Sequence, residues 1–390
     1  MSKLKDKNRL YPALFALHQE IHEFSTNLGN LSQLLDIQKK LIAAIMEAEE
    51  EIRQSKAKKH DPADWQSLRY NFLCLGDSLV FLYIDRFALK QTFFNVDNQK
   101  PKQSGGFLSG KAGLAGELTV LIDAISHNVP AVLCDLTNVV RYGDVCLLGA
   151  SDPVLLEVKS SKTKDSRGKR QKKKLEVLTS FYESDQAENL RGFVGTTFRT
   201  AFLTEPKSFD GLLATAFIKA AENGSAFFEV DGCLRFLIST TDGFESSELG
   251  RLFEGVEPSR SICNFVNSAK SNMQWECYFP YALTLSEPDH YAMFVRGEIT
   301  IVAMLDLNAF DRKFSVGGVT VVTRATEDDF QCTINFEDLM TNEGTPLFII
   351  GEHMMNRIWF DFLSPGWIIQ NSRDAMLNNS RFLKAQGVKG

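Results

Sequence analysis

Asp144, Glu157 and Lys159 stand at spacings that suit metal-assisted hydrolysis. Asp144 opens a short apolar run ending at Leu148, Val154 to Val158 forms a second, and Gly149-Ala150-Ser151-Asp152-Pro153 lies between them. Turn residues between two β-prone runs predict a hairpin. Facing residue numbers in an antiparallel pair have a constant sum, so setting Asp144 opposite Glu157 centres the turn between Ala150 and Ser151. The two carboxylates are therefore expected as cross-strand neighbours, with Cβ atoms about 5 Å apart.

Two opposed carboxylates repel, and a divalent cation relieves the repulsion. Mg2+ or Mn2+ suits such a pair, because both take carboxylate, water and phosphate oxygens. Strand alternation puts Lys159 on the face of Glu157, while Val154, Leu156 and Val158 are expected to face a core. The ammonium would orient an attacking water and offset charge in the transition state. Glu117 is a further candidate carboxylate, at the edge of the apolar stripe Leu114, Leu118, Leu121, Ile122 and Ile125. The bare acid-x-Lys triplet has little specificity, since it recurs at Glu205-Pro206-Lys207 and Asp311-Arg312-Lys313; only Glu157 sits on an apolar strand with an aspartate placed upstream.

The elements that must position these side chains can be read around them. A helix is predicted over Leu114–Asn128, strands over Ala131–Leu136, Asp144–Leu148 and Val154–Val158, a helix over Lys172–Tyr182 and a strand over Gly192–Thr197. Before them, Leu10–Phe24, Leu31–Gln54 and Trp65–Phe94 carry helical spacing, and polar Asn95–Ser104 breaks it. After them, helices over Phe209–Glu222 and Ser246–Phe253 alternate with strands over Ala226–Val230, Leu234–Thr240, Trp275–Leu285, Tyr291–Leu305 and Val319–Arg324. The expected domains are a helical N-terminal region, 1–100, an α/β unit, 101–204, and an α+β C-terminal domain, 205–390.

Glu117 on its helix, Gly143-Asp144 on a strand, Glu157-Val158-Lys159 on the next, and a helix opening near Lys169-Arg170-Gln171-Lys172 together resemble the PD-(D/E)XK nuclease superfamily. The likeness spans roughly residues 107–200. Gly143 stands where the motif's name has proline, and Leu175 where some branches have tyrosine four residues after a glutamine such as Gln171. The resemblance implies an α/β nuclease core, a mixed sheet flanked by helices. It also implies Mg2+-dependent cleavage of phosphodiester bonds, usually in DNA, and a setting in restriction or defence against phage. By the same resemblance Asp144 and Glu157 would be metal ligands, Lys159 would position water, and Glu117 would be an auxiliary metal-binding carboxylate.

Charge along the chain agrees with a polyanionic partner. The net charge of −6 argues against a protein coated in nucleic acid, yet Lys159 to Lys174 is strongly basic. Lys162, Lys164, Lys169, Arg170, Gln171 and Lys172 are the candidate nucleic-acid contacts, on a loop expected to follow the catalytic strand. The 390-residue chain is 44% hydrophobic with 30 phenylalanines, which excludes a disordered protein. Seven scattered cysteines without a C-x-x-C pair, no apolar leader and no long apolar run suggest a reduced cytoplasmic protein with no membrane segment.

Other motifs fall short of a function. Gly105 to Lys111 mimics the start of a phosphate-binding Walker loop, but Ala112 replaces its hydroxyl residue and no strand precedes it; it reads as an entry to the Glu117 helix. His18 and His22 flank a glutamate one place later than zinc proteases need, so they read as ordinary surface or interface histidines. The flanking regions are candidates for homo-oligomer or partner-subunit contacts. The competing readings are a non-catalytic nucleic-acid-binding or assembly protein on a nuclease-like fold, and an RNA nuclease.

Overall fold

The computed structural model describes residues 9–158, 166–200, 202–244, 246–326, 330–336 and 347–385. It divides into two compact units, Met1–Arg199 with Met273–Val295, and Thr200–Asn272 with Arg296–Gly390.

In the first unit, helices Tyr11–Ser25, Leu31–Ala57 and Ala63–Phe81 pack on one another. Leu34, Ile37, Gln38, Leu41, Ile45, Ala48 and Ile52 form one buried face of the second, which starts where the Asn30 side chain accepts the Gln33 N–H at 3.3 Å. The third is buried on every side from Tyr70 to Phe81, so it is the central helix of the unit. The stretch read as a single helix, Trp65–Phe94, is broken after Phe81. A second helix, Arg86–Phe93, begins under Asp85, whose side chain accepts the N–H groups of Phe87 at 2.8 Å and Ala88 at 3.2 Å.

Helix Leu114–Ser126 covers a three-stranded sheet of β1 (Ala131–Leu133), β2 (Val145–Leu147) and β3 (Val154–Leu156), in that order. Gln38 satisfies the outer edge of β1, donating to Ala131 O at 2.9 Å and accepting the Leu133 N–H at 3.1 Å. Its amide thus stands in for a missing neighbouring strand. After β1 the chain makes a 3-10 turn, Cys134–Leu136, against the central helix. Only glycine fits at Gly76, since a Cβ there would lie 1.7 Å from Leu136 O.

Three expectations need correction here. The sheet is antiparallel throughout, not mixed. The segment read as Gly192–Thr197 yields β5 (Thr196–Phe198), which pairs with β4 (Gln186–Glu188) in a separate hairpin. The Asn189 N–H bonds to Gly195 O at 2.8 Å, and this turn folds the chain back on β4 rather than onto the sheet. The basic segment is also less of a loop than expected, because its helix runs Ser166–Ser184 instead of starting at Lys172.

The second unit holds an antiparallel sheet of β6 (Ser225–Val230), β7 (Leu234–Thr240), β8 (Ser261–Phe265) and β9 (Ile299–Asp306), in the order β6-β7-β9-β8. Helix Asp210–Asn223 packs on β6 and β7, and Leu237, Leu252, Val302 and Met304 form a buried cluster. A further antiparallel sheet joins β10 (Val319–Ala325), β11 (Phe330–Phe336) and β12 (Leu347–Ile350). The run Tyr291–Leu305, read as one strand, is the end of helix Pro288–Arg296 followed by β9; Gly297, at φ +72°, makes the break. Trp275–Leu285 is likewise no strand, and ends in the short helix Tyr281–Thr284. Among the described residues, no helix is long and apolar enough to cross a membrane.

Candidate active site

The β2-β3 ladder pairs Val145 with Leu156, Cys146 with Leu155 and Leu147 with Val154, the residue sum expected for Asp144 and Glu157, but it ends before that pair. Asp144 immediately precedes β2 and Glu157 immediately follows β3. The chain enters through Gly143 at φ +76°, and a Cβ there would lie 2.9 Å from Leu156 O. Glycine is thus required twice over, by conformation and by space. The Asp144 N–H donates to Leu156 O at 2.7 Å, one residue off the ladder register, and Asp144 O accepts the Cys134 N–H at 2.9 Å. Its Oδ2 accepts the Val158 N–H at 2.8 Å. Backbone and carboxylate together hold Asp144 across the ends of all three strands.

Val154 is 44% exposed, contrary to the expectation that Val154, Leu156 and Val158 all face a core. The reason is topological: β3 is an edge strand, and Val154 sits at its start beside the exposed turn. Lys159, Lys162 and Lys164 lie outside the described residues.

Glu117 lies in the first turn of its helix and is only 3% exposed. Both of its oxygens meet one ammonium, Lys111 Nζ, at 2.8 and 2.9 Å. The same Nζ is 2.6 Å from Asp135 Oδ2 and 3.4 Å from Asp144 Oδ1. Three carboxylates from three segments therefore converge on one cation. Sequence reasoning missed both Lys111 and Asp135. Asp135 was hidden in an apolar run read wholly as strand, and the available signal was an acid in that run with no strand partner to face. In the sequence Lys111 falls in the Gly105–Lys111 stretch that mimics a phosphate loop, which masks its role as an ion-pair partner.

The electrostatics follow from the crowding. Burial alone lowers the Lys111 pKa, but hydrogen bonds to Asp135 and Glu117 outweigh it and raise the pKa above the ordinary lysine value. Burial raises Glu117, with the negative charges of Asp144 and Asp135 acting in the same direction and Lys111 opposing. Glu157 is exposed as a residue, yet partial desolvation of its carboxyl and the charge of Asp144 raise its pKa, while Lys102 and Lys111 oppose. Lys102 is lowered by burial; Glu157 counteracts that shift, whereas Lys174 and Arg141 add to it.

On helix Ser166–Ser184, Lys169, Arg170 and Lys172 are exposed and Gln171 is half-buried. Lys172 pairs with Glu176 at 3.4 Å and Lys174 with Asp97 at 2.5 Å. The helix packs against β3.

Among the described residues, no group of three or more His, Cys, Asp or Glu side chains is arranged to hold a metal ion. The oxygens of Glu117, Asp135 and Asp144 converge on Lys111 Nζ instead. In kind they are the hard donors that Mg2+ and Mn2+ take, and in number they exceed what one ammonium neutralises. By donor chemistry the set fits such an ion.

The histidine pair has a different role. His18 is buried rather than at the surface, with its ring stacked 3.9 Å from that of Tyr291 and its Nε2 3.0 Å from Ala282 O. His22 Nε2 is 2.8 Å from the same carbonyl. Both rings are occupied by packing within the unit. No family model, curated protein or solved structure matches the chain.

Proposed function

We propose that the chain is a Mg2+- or Mn2+-dependent nuclease that hydrolyses phosphodiester bonds, with DNA as the substrate favoured by the resemblance in its motifs. The observation that carries this reading is the convergence of Glu117, Asp135 and Asp144 at the end of the β2-β3 hairpin, where the ladder stops just short of Asp144 and Glu157. Asp144, Glu157 and Glu117 would hold the ion, and Asp135, unforeseen from sequence, extends the set. A bound divalent ion supplies Lewis-acid stabilisation of the phosphoryl oxygens and a more acidic water. Lys159 would orient that water, and the exposed Lys169, Arg170 and Lys172 would hold the nucleic-acid backbone by charge. A nuclease core, here on an antiparallel sheet, belongs to this proposal alone. A role in restriction or defence against phage rests on the resemblance.

One observation favours a second reading. Lys111 already offsets part of the acidic charge, as a permanent counter-ion would in a nuclease-like scaffold that binds nucleic acid without cutting it. The experiment that separates the two is incubation of plasmid, linear duplex, single-stranded DNA and RNA with Mg2+, Mn2+ or EDTA, comparing wild type with Lys159→Ala. Metal-dependent cleavage lost in the variant supports the enzyme. Binding without cleavage of any substrate supports the scaffold.

A further inference from the structure

Lys111 reaches the carboxylates from a loop that the helical region holds in place. Glu49, on helix Leu31–Ala57, is fully buried. Its Oε1 accepts the Leu108 N–H at 3.1 Å and Arg69 Nε at 2.8 Å. Its Oε2 accepts the Ser109 N–H at 2.9 Å and the Ser109 hydroxyl at 2.8 Å. Arg69, on the central helix, donates to Gly106 O at 3.0 Å and lies over the Phe107 ring at 5.1 Å. The loop also passes close to the site itself, since a Cβ at Gly105 would lie 2.5 Å from Asp135 Oδ1. Two helices thus fix a short segment whose next residues deliver an ammonium among three acids.

We propose that Lys111 is a tethered counter-cation that competes with the divalent ion for Glu117, Asp135 and Asp144, and that Glu49 and Arg69 are the positioning residues that set its strength as a competitor. This rests on the metal-site reading above. The physical case is one of shared donors. The oxygens within 2.6–3.4 Å of Nζ cannot turn to an ion at the same place until the ammonium moves aside. A tethered charge needs no association from solution, so the metal affinity of the site depends on how firmly the loop is anchored. On this account the helical region is more than a cover: it tunes the threshold at which Mg2+ or Mn2+ enters.

The test uses the full chain without nucleic acid. Mn2+ is titrated and free Mn2+ is read by electron paramagnetic resonance, for wild type, Lys111→Met, Glu49→Gln and Asp144→Asn, with circular dichroism reporting folding. Lys111→Met is expected to bind Mn2+ at least about tenfold more tightly than wild type, because a close charge is worth more than the ~1.4 kcal/mol this represents. Glu49→Gln keeps Lys111 but turns an amide toward donors, loosening the loop, and is expected to fall between the two. Asp144→Asn is expected to bind more weakly than wild type. Equal or weaker binding by folded Lys111→Met overturns the proposal. If Lys111→Met does not fold, Glu49→Gln decides on the same criterion. The expected order of affinities with no cleavage of any nucleic acid sustains this inference and defeats the nuclease reading. Mn2+-dependent cleavage with identical affinities does the reverse, and absence of Mn2+ binding in every protein overturns both.

Discussion

The Asp144 carboxylate accepts the backbone N–H of Val158 at 2.8 Å, so the side chain proposed as a metal ligand also fixes the chain beside Glu157. Structural and chemical duties of this side chain are separable. Asp144→Asn retains an acceptor for Val158 and removes the charge, whereas Asp144→Ala removes both. Unfolding in urea is expected to show Asp144→Ala destabilised by about 1–2 kcal/mol and Asp144→Asn by much less. Equal losses in the two variants would mean that the Val158 bond carries none of the effect.

Gly143 sets the approach of that aspartate. Its positive φ and the closeness of Leu156 O make Gly143→Ala costly, by about 2 kcal/mol in denaturant unfolding. Any catalysis should fall with it, because Asp144 is displaced. A variant as stable and as active as wild type would show that the strand end tolerates a different path.

A carboxyl away from the site gives a test by pH. Asp77, on the central helix, is pushed up to about 7 by complete burial, although it accepts the N–H groups of Asn138 at 2.7 Å and Val139 at 2.9 Å and the Asn138 amide at 2.9 Å. A carboxyl raised on folding adds stability below its unfolded pKa, near 3.8, and loses that contribution as pH climbs through about 7. Asp77→Asn removes the titration. The difference in unfolding free energy, wild type minus variant, should therefore decline from pH 4 to pH 8, with a slope approaching ~1.4 kcal/mol per pH unit within that window. A difference that stays level with pH contradicts a buried, proton-binding Asp77.

Salt dependence tests the basic helix. Replacing Lys169, Arg170 and Lys172 together by glutamate is expected to weaken duplex DNA binding. The slope of log affinity against log salt should become shallower by about 0.9 for each phosphate that the protein no longer neutralises. Fluorescence anisotropy over a salt series reads this directly. An unchanged slope would place the nucleic-acid interface elsewhere.

The legible part of the molecule was its local part. Helical spacing located the helices from Leu10 to Ala57 and the helix of Glu117, and the constant sum of facing residues placed the β2-β3 register, because a hairpin is determined by the few residues of its turn. What escaped depends on distant segments meeting. Lys111 joins Asp135 and Asp144 only because Glu49 and Arg69, about 40 to 60 residues earlier, hold its loop, and no periodicity records that. Apolar Tyr291–Val295 is as consistent with a buried helix as with a strand, and the structure makes it helix. The separate β4-β5 hairpin turned on left-handed Asn189 and on Gly195, a turn that the predicted strand had swallowed.

The most direct test of the central claim is plasmid nicking in Mg2+ by wild type and by Asp144→Asn, the variant that preserves the Val158 hydrogen bond. The account requires cleavage by the wild type that EDTA abolishes, and a rate at least ~100-fold lower in Asp144→Asn, equivalent to ~2.7 kcal/mol of transition-state stabilisation. Cleavage by Asp144→Asn at the wild-type rate, or cleavage by the wild type undiminished in EDTA, would contradict it.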